Sequence, residues 1–231
     1  MSNLIRPTPW DEKAFDIRTF VLDEASEETL RQTCEPGHYT VKMDPLASKK
    51  AVVMHGFYYG DTLLKPVVSR STFRPFKNDR CAVADMSNIA AAQQIAAAVY
   101  RHDRFHRDFN MSNSGADKRF ANWLAQLHEE DTVWKLTHDE SLAGFAGIQD
   151  DHIVLYGMRP SFQGRGFSKY FWSLICKKLF ANGYGEVSTS ISACNVAMVN
   201  LTASLGFRFR EAVDVYHKYV PDRERGQQER T

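Results

Sequence analysis

The stretch Gln163-Gly164-Arg165-Gly166-Phe167-Ser168, called the glycine loop below, is the feature that most constrains the fold of this chain. The apolar run Ile153–Met158 before it predicts a β-strand, and Pro160 ends that strand. Apolar residues recur at helical spacing after it, so a helix is predicted to begin at the glycines. This order aims backbone N–H groups and the positive end of a helix dipole at one point, which suits a phosphate group.

Two other phosphate-binding motifs fit this stretch poorly. The dinucleotide-binding fingerprint requires a third glycine, where this chain has Lys169. That fingerprint also lies early in a βαβ unit, whereas the glycine loop lies late in this chain. The P-loop requires Gly-Lys-Ser/Thr, which does not follow Gly166. The alternative to a phosphate site is a tight turn in which both glycines only supply positive φ angles.

The remaining sequence alternates strand patterns with helix patterns, which is typical of an α/β (α+β) fold. Strands are predicted at 15–22, 38–43, 57–68, 81–85, 132–137, 142–149, 152–158 and 186–192, with a terminal strand pair in 207–220. Helices are predicted at 26–37, 45–56, 88–100, 116–129, 167–180 and 195–206. Ser26 and Ser87 are the expected N-caps, and Pro45 is expected in the first turn of its helix.

Composition excludes several classes of protein. Lys and Arg number 29 against 28 Asp and Glu, so a nucleic-acid-binding surface is not expected. No apolar stretch is long enough to span a membrane, and the N-terminal residues do not resemble a signal peptide. The four cysteines are widely separated, which predicts reduced thiols in a cytoplasmic protein.

A second motif lies near the C-terminus, where Asn195 opens a predicted helix that ends at Gly206-Phe207. With the glycine loop, this order resembles the Gcn5-related N-acetyltransferase (GNAT) superfamily from Arg80 to Val220. The loop motif of that superfamily is [QR]-x-x-G-x-[GA], and Ser168 departs from its last position.

The resemblance implies a mixed central sheet flanked by helices, acetyl-CoA as co-substrate and no metal. The pyrophosphate would lie on Gln163, Gly164, Arg165, Gly166, Phe167 and Ser168. A backbone N–H near Met158 would bind the thioester oxygen. Asn195 would contact the pantetheine or the acceptor side, and Thr202 would lie along the cofactor.

A closer likeness is to the dTDP-fucosamine acetyltransferase group, which carries an extra N-terminal half-domain. That group has an Arg-aromatic pair before a helix that contains a Trp, and this chain has Arg104-Phe105 and Trp123 in that order. Residues 1–77 are therefore expected to form a degenerate GNAT-like half-domain, and 78–220 the catalytic domain. The strand–turn–helix–Gly-Phe–strand order occurs in both regions, although chance similarity is the alternative. The tail 221–231 lacks apolar residues and is expected to be disordered.

The general acid is not assigned by the resemblance. The family often uses a tyrosine seven residues after the helix-opening Asn, and this count from Asn195 gives Thr202. A Thr hydroxyl is a much weaker acid than a phenol, so Tyr156, Tyr216 and Tyr219 are the alternatives, as is water.

His106 is the candidate general base because the pKa of an imidazole lies near working pH. Asp103 and Asp108 would orient it, or would bind the acceptor. Tyr156 and His152 are alternative bases, and a solvated charged loop is the non-catalytic interpretation of this segment.

Two further chemistries are disfavoured. His102 and His106 are four residues apart but lack the adjacent Glu and the third ligand of a zinc site. Cys194 next to Asn195 would permit an acyl-cysteine, which direct transfer to an amine does not require.

The expected function is an acetyl-CoA-dependent N-acetyltransferase that acts by direct attack of an amine. A nucleotide-linked amino deoxysugar is the expected acceptor, and Arg104, His106 and Asp108 are the expected acceptor-binding residues. The alternatives are a small free amine, an amino acid or an antibiotic as acceptor, and a degenerate CoA-binding domain without activity. A homodimer is possible under each of them.

Overall fold

The computed structural model describes residues 4–222 and divides the chain into two compact units. Unit 1 contains the residues up to Leu63, Asp103–Arg119 and the residues from Ala212 onward, whereas unit 2 contains Leu64–His102 and Phe120–Glu211. Each unit therefore combines segments that are distant in sequence. The expected domain boundary at residue 77 stays a prediction, and most of the expected disordered tail lies outside the described residues.

The strands are β1 (Ile5–Pro7), β2 (Thr19–Leu22), β3 (Gly37–Met43), β4 (Tyr58–Ser69), β5 (Cys81–Asp85), β6 (Val133–His138), β7 (Ser141–Gln149), β8 (His152–Met158), β9 (Glu186–Thr189), β10 (Ile191–Ser192) and β11 (Arg208–Val220). The helices are α1 (Pro9–Phe15), α2 (Glu27–Arg31), α3 (Lys50–Met54), α4 (Ala90–Val99), α5 (Asn113–Glu129), α6 (Ser168–Ala181) and α7 (Val196–Ser204). A 3₁₀ turn covers Pro160–Phe162. Among the described residues, no helix has the length and apolar character needed to cross a bilayer.

Unit 1 contains a small sheet with a small buried apolar core. Strand β1 pairs antiparallel with β2, β2 pairs parallel with β3, and β3 pairs antiparallel with β11 from Asp214↔Met43 to Val220↔Gly37. The alternation of side chains along these strands places Tyr39 and Val41 in the core with Leu30.

Unit 2 contains a mixed sheet with helices on both faces. Strands β5 to β8 pair antiparallel in sequence order, β8 pairs parallel with β9, and β9 pairs antiparallel with the end of β4. Adjacent residues Phe145 and Ala146 belong to different apolar clusters, because successive side chains of a strand point to opposite faces. The cluster around Ala146 contains side chains of α6, and the one around Phe145 contains side chains of α4 and α5. The predicted α/β fold with a mixed, helix-flanked sheet is confirmed.

The two strand–helix–strand segments that share a Gly-Phe pair have the same local structure. Gly56 after α3 and Gly206 after α7 both have left-handed φ angles, of 82° and 89°. The phenylalanines that follow, Phe57 and Phe207, are both buried. This similarity is compatible with the expected half-domain, which remains a hypothesis.

The structure corrects four local predictions. The expected strand 15–22 starts only at Thr19, because α1 precedes it and ends at Asp16 in a left-handed conformation. Pro45 lies in a turn before α3, where the Asp44 carboxylate accepts the Leu46 N–H. Ser87 does not cap α4, and the side chain of its neighbour Asn88 accepts the Ala90 N–H instead. The expected terminal strand pair is the single strand β11, which contains no Gly or Pro to make a turn.

Candidate active site

The glycine loop connects β8 to α6 in unit 2, as the sequence predicts. Gly164 and Gly166 have left-handed φ angles of 70° and 75°, which L side chains rarely adopt. A Cβ atom at either position would meet no heavy atom within 4 Å, so the loop faces open space. The Gln163 amide donates to the Met158 carbonyl at 2.8 Å and ties the loop to β8. Open left-handed glycines directly before a 14-residue helix form the kind of concave N–H surface that accepts phosphate.

Strand β8 separates from β9 as it approaches the loop. The parallel pairing covers only His152↔Ser188 and Ile153↔Thr189, and residues 155–158 pair with β7 alone in the part of the chain that the structure describes. Met158 lies at the separated end, opposite Gly144. The edge of β8 from Leu155 to Met158 is therefore not paired with β9.

Two glycines hold β7 and β8 close together at this end. A Cβ atom at Gly144 would lie 2.2 Å from the Gly157 carbonyl oxygen, and one at Gly157 would lie 2.6 Å from the Phe145 ring. Neither position has room for a side chain. The backbone next to Met158 is therefore fixed by packing as well as by hydrogen bonds.

Tyr156 lies on β8 with its hydroxyl buried. Within residues 4–222 that oxygen has no hydrogen-bond partner at normal geometry, and the ring packs edge-on against Trp172 at 5.5 Å. Burial raises the pKa of Tyr156, and the nearby Ser168 hydroxyl offsets part of this rise. A phenol with a raised pKa keeps its proton at neutral pH, which disfavours Tyr156 as the base that the sequence left open, and it is also a weaker acid than an ordinary tyrosine.

Asn195 and Thr202 lie on α7, and their side chains act within that helix. Asn195 is the N-cap, and its Oδ1 accepts the Met198 N–H at 3.3 Å. The buried Thr202 hydroxyl donates to the carbonyls of Met198 and Val199, at 2.9 and 3.0 Å. Thr202 is thereby committed to the helix backbone, so it does not replace the family tyrosine as an acid.

His152, the alternative base, accepts or donates at 2.8 Å to the Ser188 hydroxyl through Nδ1. Burial lowers the pKa of His152, so the ring is neutral at pH 7. Cys194 is exposed, and its thiol donates to the His102 carbonyl at 3.3 Å.

The remaining sequence candidates, Arg104, His106, Asp108 and Tyr216, belong to unit 1. The imidazole of His106 contacts Asp103 through Nδ1 and Asp117 through Nε2, the latter at 3.0 Å. Its side chain is only 4% exposed. Because carboxylates occupy both ring nitrogens, the predicted role of His106 as a general base does not agree with this geometry.

Asp108 is the centre of a buried polar cluster. Its carboxylate accepts from His38 Nε2 at 3.0 Å, His217 Nδ1 at 2.7 Å, the Tyr58 hydroxyl at 2.8 Å and the Asn110 N–H at 2.9 Å. Burial alone would raise the pKa of Asp108, but these hydrogen bonds outweigh it and hold the pKa well below its usual value. The oxygens that an acceptor would need are thus already used within the protein.

The two histidines of this cluster are absent from the sequence-derived site. Burial lowers the pKa of His217 to about 4, against the opposing hydrogen bond to Asp108, so its ring is neutral. Ligand atoms of His38, Asp108 and His217 lie within 4.8 Å of one another, so these residues could converge on a metal ion. The hydrogen bonds among them account for the arrangement without one.

Tyr216 is buried on β11 and packs edge-on against Tyr59 at 5.9 Å. Burial raises its pKa. Arg104 packs over the Phe105 ring at 4.5 Å, and its Nε is buried without a hydrogen-bond partner in the described part of the chain.

A mixed sheet whose strands separate beside a glycine loop and a helix N-terminus defines an acyltransferase of the GNAT type. The Acetyltransferase (GNAT) family profile matches residues 92–207, which is half of the chain. The chain therefore belongs to the GNAT family, as the sequence resemblance predicted. Comparison with curated proteins finds no match.

Solved structures share this fold at low sequence identity. A GCN5-related N-acetyltransferase from Sphaerobacter thermophilus is 11% identical with a TM-score of 0.59, and the match covers 81% of this chain and 61% of that protein. A tandem GNAT protein from the clavulanic acid biosynthesis pathway is 10% identical with a TM-score of 0.57, covering 88% and 76% of the two chains. A conserved protein of unknown function from Staphylococcus epidermidis is 13% identical with a TM-score of 0.61, covering 90% and 88%. At these identities the likeness establishes the fold.

Proposed function

We propose that this protein is an acetyl-CoA-dependent N-acetyltransferase that transfers the acetyl group directly to a primary amine. The observation that carries the proposal is the glycine loop of a GNAT-family chain, with Gly164 and Gly166 left-handed and open to solvent before α6. Gly183 after α6 is equally open and left-handed, so what distinguishes Gly164 and Gly166 is their place directly before the N-terminus of α6, where backbone N–H groups are free to bind an anion.

The chain offers groups to hold the donor. The backbone N–H groups at the start of α6 would bind the pyrophosphate, and the Arg165 guanidinium, which packs near the Phe167 ring at 5.2 Å, adds positive charge there. A backbone N–H near Met158, where the pairing of β8 with β9 has ended, would donate a hydrogen bond to the thioester oxygen. Fixing both reactants in one geometry supplies part of the rate enhancement by itself.

The transfer needs little further chemistry from side chains. The amine nitrogen forms a bond to the thioester carbon, the carbon–sulfur bond breaks, the nitrogen loses a proton and the sulfur gains one. We assign the proton donated to sulfur to Tyr156, which lies on β8 two residues before Met158 and whose hydroxyl has no partner at normal hydrogen-bond geometry within residues 4–222. The proton lost by the amine passes to water in this proposal, because His106 is occupied by two carboxylates.

The proposed acceptor is an amine on a nucleotide-linked, dTDP-type deoxysugar. This rests on the resemblance of the Arg104-Phe105 segment, the Trp123 helix and the N-terminal region to enzymes that use such acceptors. A small free amine is the competing acceptor class. The competing hypothesis without enzyme activity is a degenerate CoA-binding domain. It is supported by Thr202, which stands where the family often has the acidic tyrosine.

Release of the CoA thiol tests these alternatives. Purified protein would be mixed with acetyl-CoA and, in separate reactions, a dTDP-linked amino sugar, the same amino sugar without the nucleotide, and a mixture of amino acids. Thiol release with the nucleotide-linked sugar alone supports the full proposal, and equal release with the free sugar removes the nucleotide from it. If acetyl-CoA binds but no amine releases thiol, the domain is a binding module.

A further inference from the structure

Unit 1 contains a cavity of about 180 Å³ that takes no part in the donor site proposed above. Strand β3 lines it with His38, Thr40 and Lys42, which lie two residues apart and so share one face of the strand. The rest of the lining comes from α1, β2, the segment after α4 and the start of α5: Thr8, Trp10, Asp11, Thr19, Phe20, Val21, Arg104, Phe105 and Arg119. Across the whole lining, Lys42, Arg104 and Arg119 are cationic, and Asp11 is acidic.

The guanidinium of Arg104 is the unusual group in this lining. Its Nε atom is fully buried and, within residues 4–222, has no hydrogen-bond partner. Three carboxylates act on its charge, but each already pairs with another side chain: Asp11 with Arg119, Asp103 with His106, and Asp61 with Arg107.

The neighbourhood of Arg104 increases the cost of its charge. Arg119 packs over the same Phe105 ring, at 4.9 Å, as Arg104 does at 4.5 Å. Burial, and then repulsion by Arg119, lower the pKa of Arg104 to about 10. Arg104 is partly buried, and a cation drawn out of water without a partner is destabilising, so an anionic ligand that paired with it would remove this cost.

We propose that this cavity binds a compact oxyanion, a phosphate or carboxylate group, through the Arg104 guanidinium. The planar fork of an arginine matches the two oxygens of either group. Thr40 lines the same cavity, and its hydroxyl is a group that can donate a further hydrogen bond. The volume is below the roughly 300–1,000 Å³ of sites that hold drug-sized ligands, so the cavity would take one charged group and not a whole cofactor.

The remainder of the ligand would lie outside the cavity. Trp10 lines the cavity and is 56% exposed, which gives a flat apolar surface for the part of the molecule attached to the anion. None of the lining residues belongs to the glycine loop or to α6. The proposal therefore stands whether or not the chain transfers acetyl groups.

Thermal unfolding with chosen anions tests the proposal. The probes are inorganic phosphate, thymidine diphosphate and succinate, each compared with sodium chloride at equal ionic strength. At 100 times its dissociation constant, a ligand of the folded state raises the Tm of a chain of this size by about 5–10 °C. Arg104→Gln removes the guanidinium, and Arg18→Gln, at an exposed residue paired with Glu35, is the control with the same change in charge.

The expected result is a Tm rise in the parent and in Arg18→Gln that Arg104→Gln lacks. Without any probe, Arg104→Gln should melt at the parent temperature or above, because it removes a partly buried charge whose Nε has no hydrogen-bond partner among the described residues. A response to either phosphate compound assigns a phosphoryl group, and a response to succinate alone assigns a carboxylate. General stabilisation by phosphate would be equal in all three proteins.

Three outcomes would overturn the proposal. They are no Tm response to any probe, an undiminished response in Arg104→Gln, and failure of Arg104→Gln to fold, which would make the arginine a structural group. Arg104→Lys, which keeps the charge and loses the fork, should fold and bind the probe about tenfold or more weakly. Acetyl-CoA binding is measured in parallel on each variant, so that loss of the anion response with acetyl-CoA binding intact separates this site from the glycine loop.

Discussion

Substitution of Gly166 by alanine isolates the role of the glycine loop. In the left-handed region an alanine is disfavoured by about 1–2 kcal/mol, and the lower entropy of its unfolded chain returns about 0.4–1 kcal/mol. The added methyl group meets nothing within 4 Å, so no clash is added. We therefore expect Gly166→Ala to lose about 1 kcal/mol of stability and about 2–4 °C in Tm.

Acetyl-CoA binding should respond far more strongly than stability does. At 100 times its dissociation constant, acetyl-CoA should stabilise the parent by about 2.7 kcal/mol. In Gly166→Ala the methyl group occupies the space that the phosphates need, so the ligand-dependent rise in Tm should be lost. Differential scanning fluorimetry with and without acetyl-CoA measures both quantities in one experiment.

Gly183 provides a matched control in the same unit. It follows α6 with a φ angle of 100°, and a Cβ atom there also meets nothing within 4 Å. Gly183→Ala should therefore carry a similar backbone strain and keep the full response to acetyl-CoA. An unchanged response in Gly166→Ala, or an equal loss in both variants, would refute the argument that the loop binds phosphate.

Two further predictions concern acid stability and catalysis. Burial lowers the pKa of His217 from 6.5 in the unfolded chain to about 4 in the folded protein. The contribution of this shift to the free energy of unfolding is therefore complete above pH 6.5 and is lost as the pH falls toward 4. Urea unfolding should give a free energy of unfolding for the parent that is about 2–3 kcal/mol lower at pH 4.5 than at pH 7, and a smaller difference for His217→Asn. Equal differences in the two proteins would contradict this prediction. Tyr156→Phe should keep the stability of the parent and its response to acetyl-CoA while kcat falls by about 100-fold, and an unchanged kcat would exclude Tyr156 as the acid.

The features that the sequence predicts well are local. The glycine loop could be identified because left-handed glycines between a strand and a helix leave a pattern in neighbouring residues, and the same is true of Asn195 as an N-cap. The order of strands and helices in unit 2 also follows from short-range periodicity. These elements suffice to predict the mixed sheet and the family.

The buried polar cluster could not be predicted, because long-range pairing creates it. His38 and His217 are 179 positions apart, and the antiparallel register of β3 with β11 brings them to Asp108. Nothing near either histidine in the sequence marks it as buried. Likewise, the charged segment around His106 looked accessible to substrate, whereas the structure pairs its ring with two carboxylates.

The discontinuous make-up of unit 1 affects the order in which the chain can fold. During synthesis, β3 emerges long before its partner, since Met43 pairs with Asp214, 171 positions later. Until β11 is made, one edge of β3 is unpaired, and the histidine of β11 that binds Asp108 is missing. Such an open edge favours wrong pairing between nascent chains. We infer that unit 1 assembles after translation of β11, and that its folding is slowed by the long loop closure this requires.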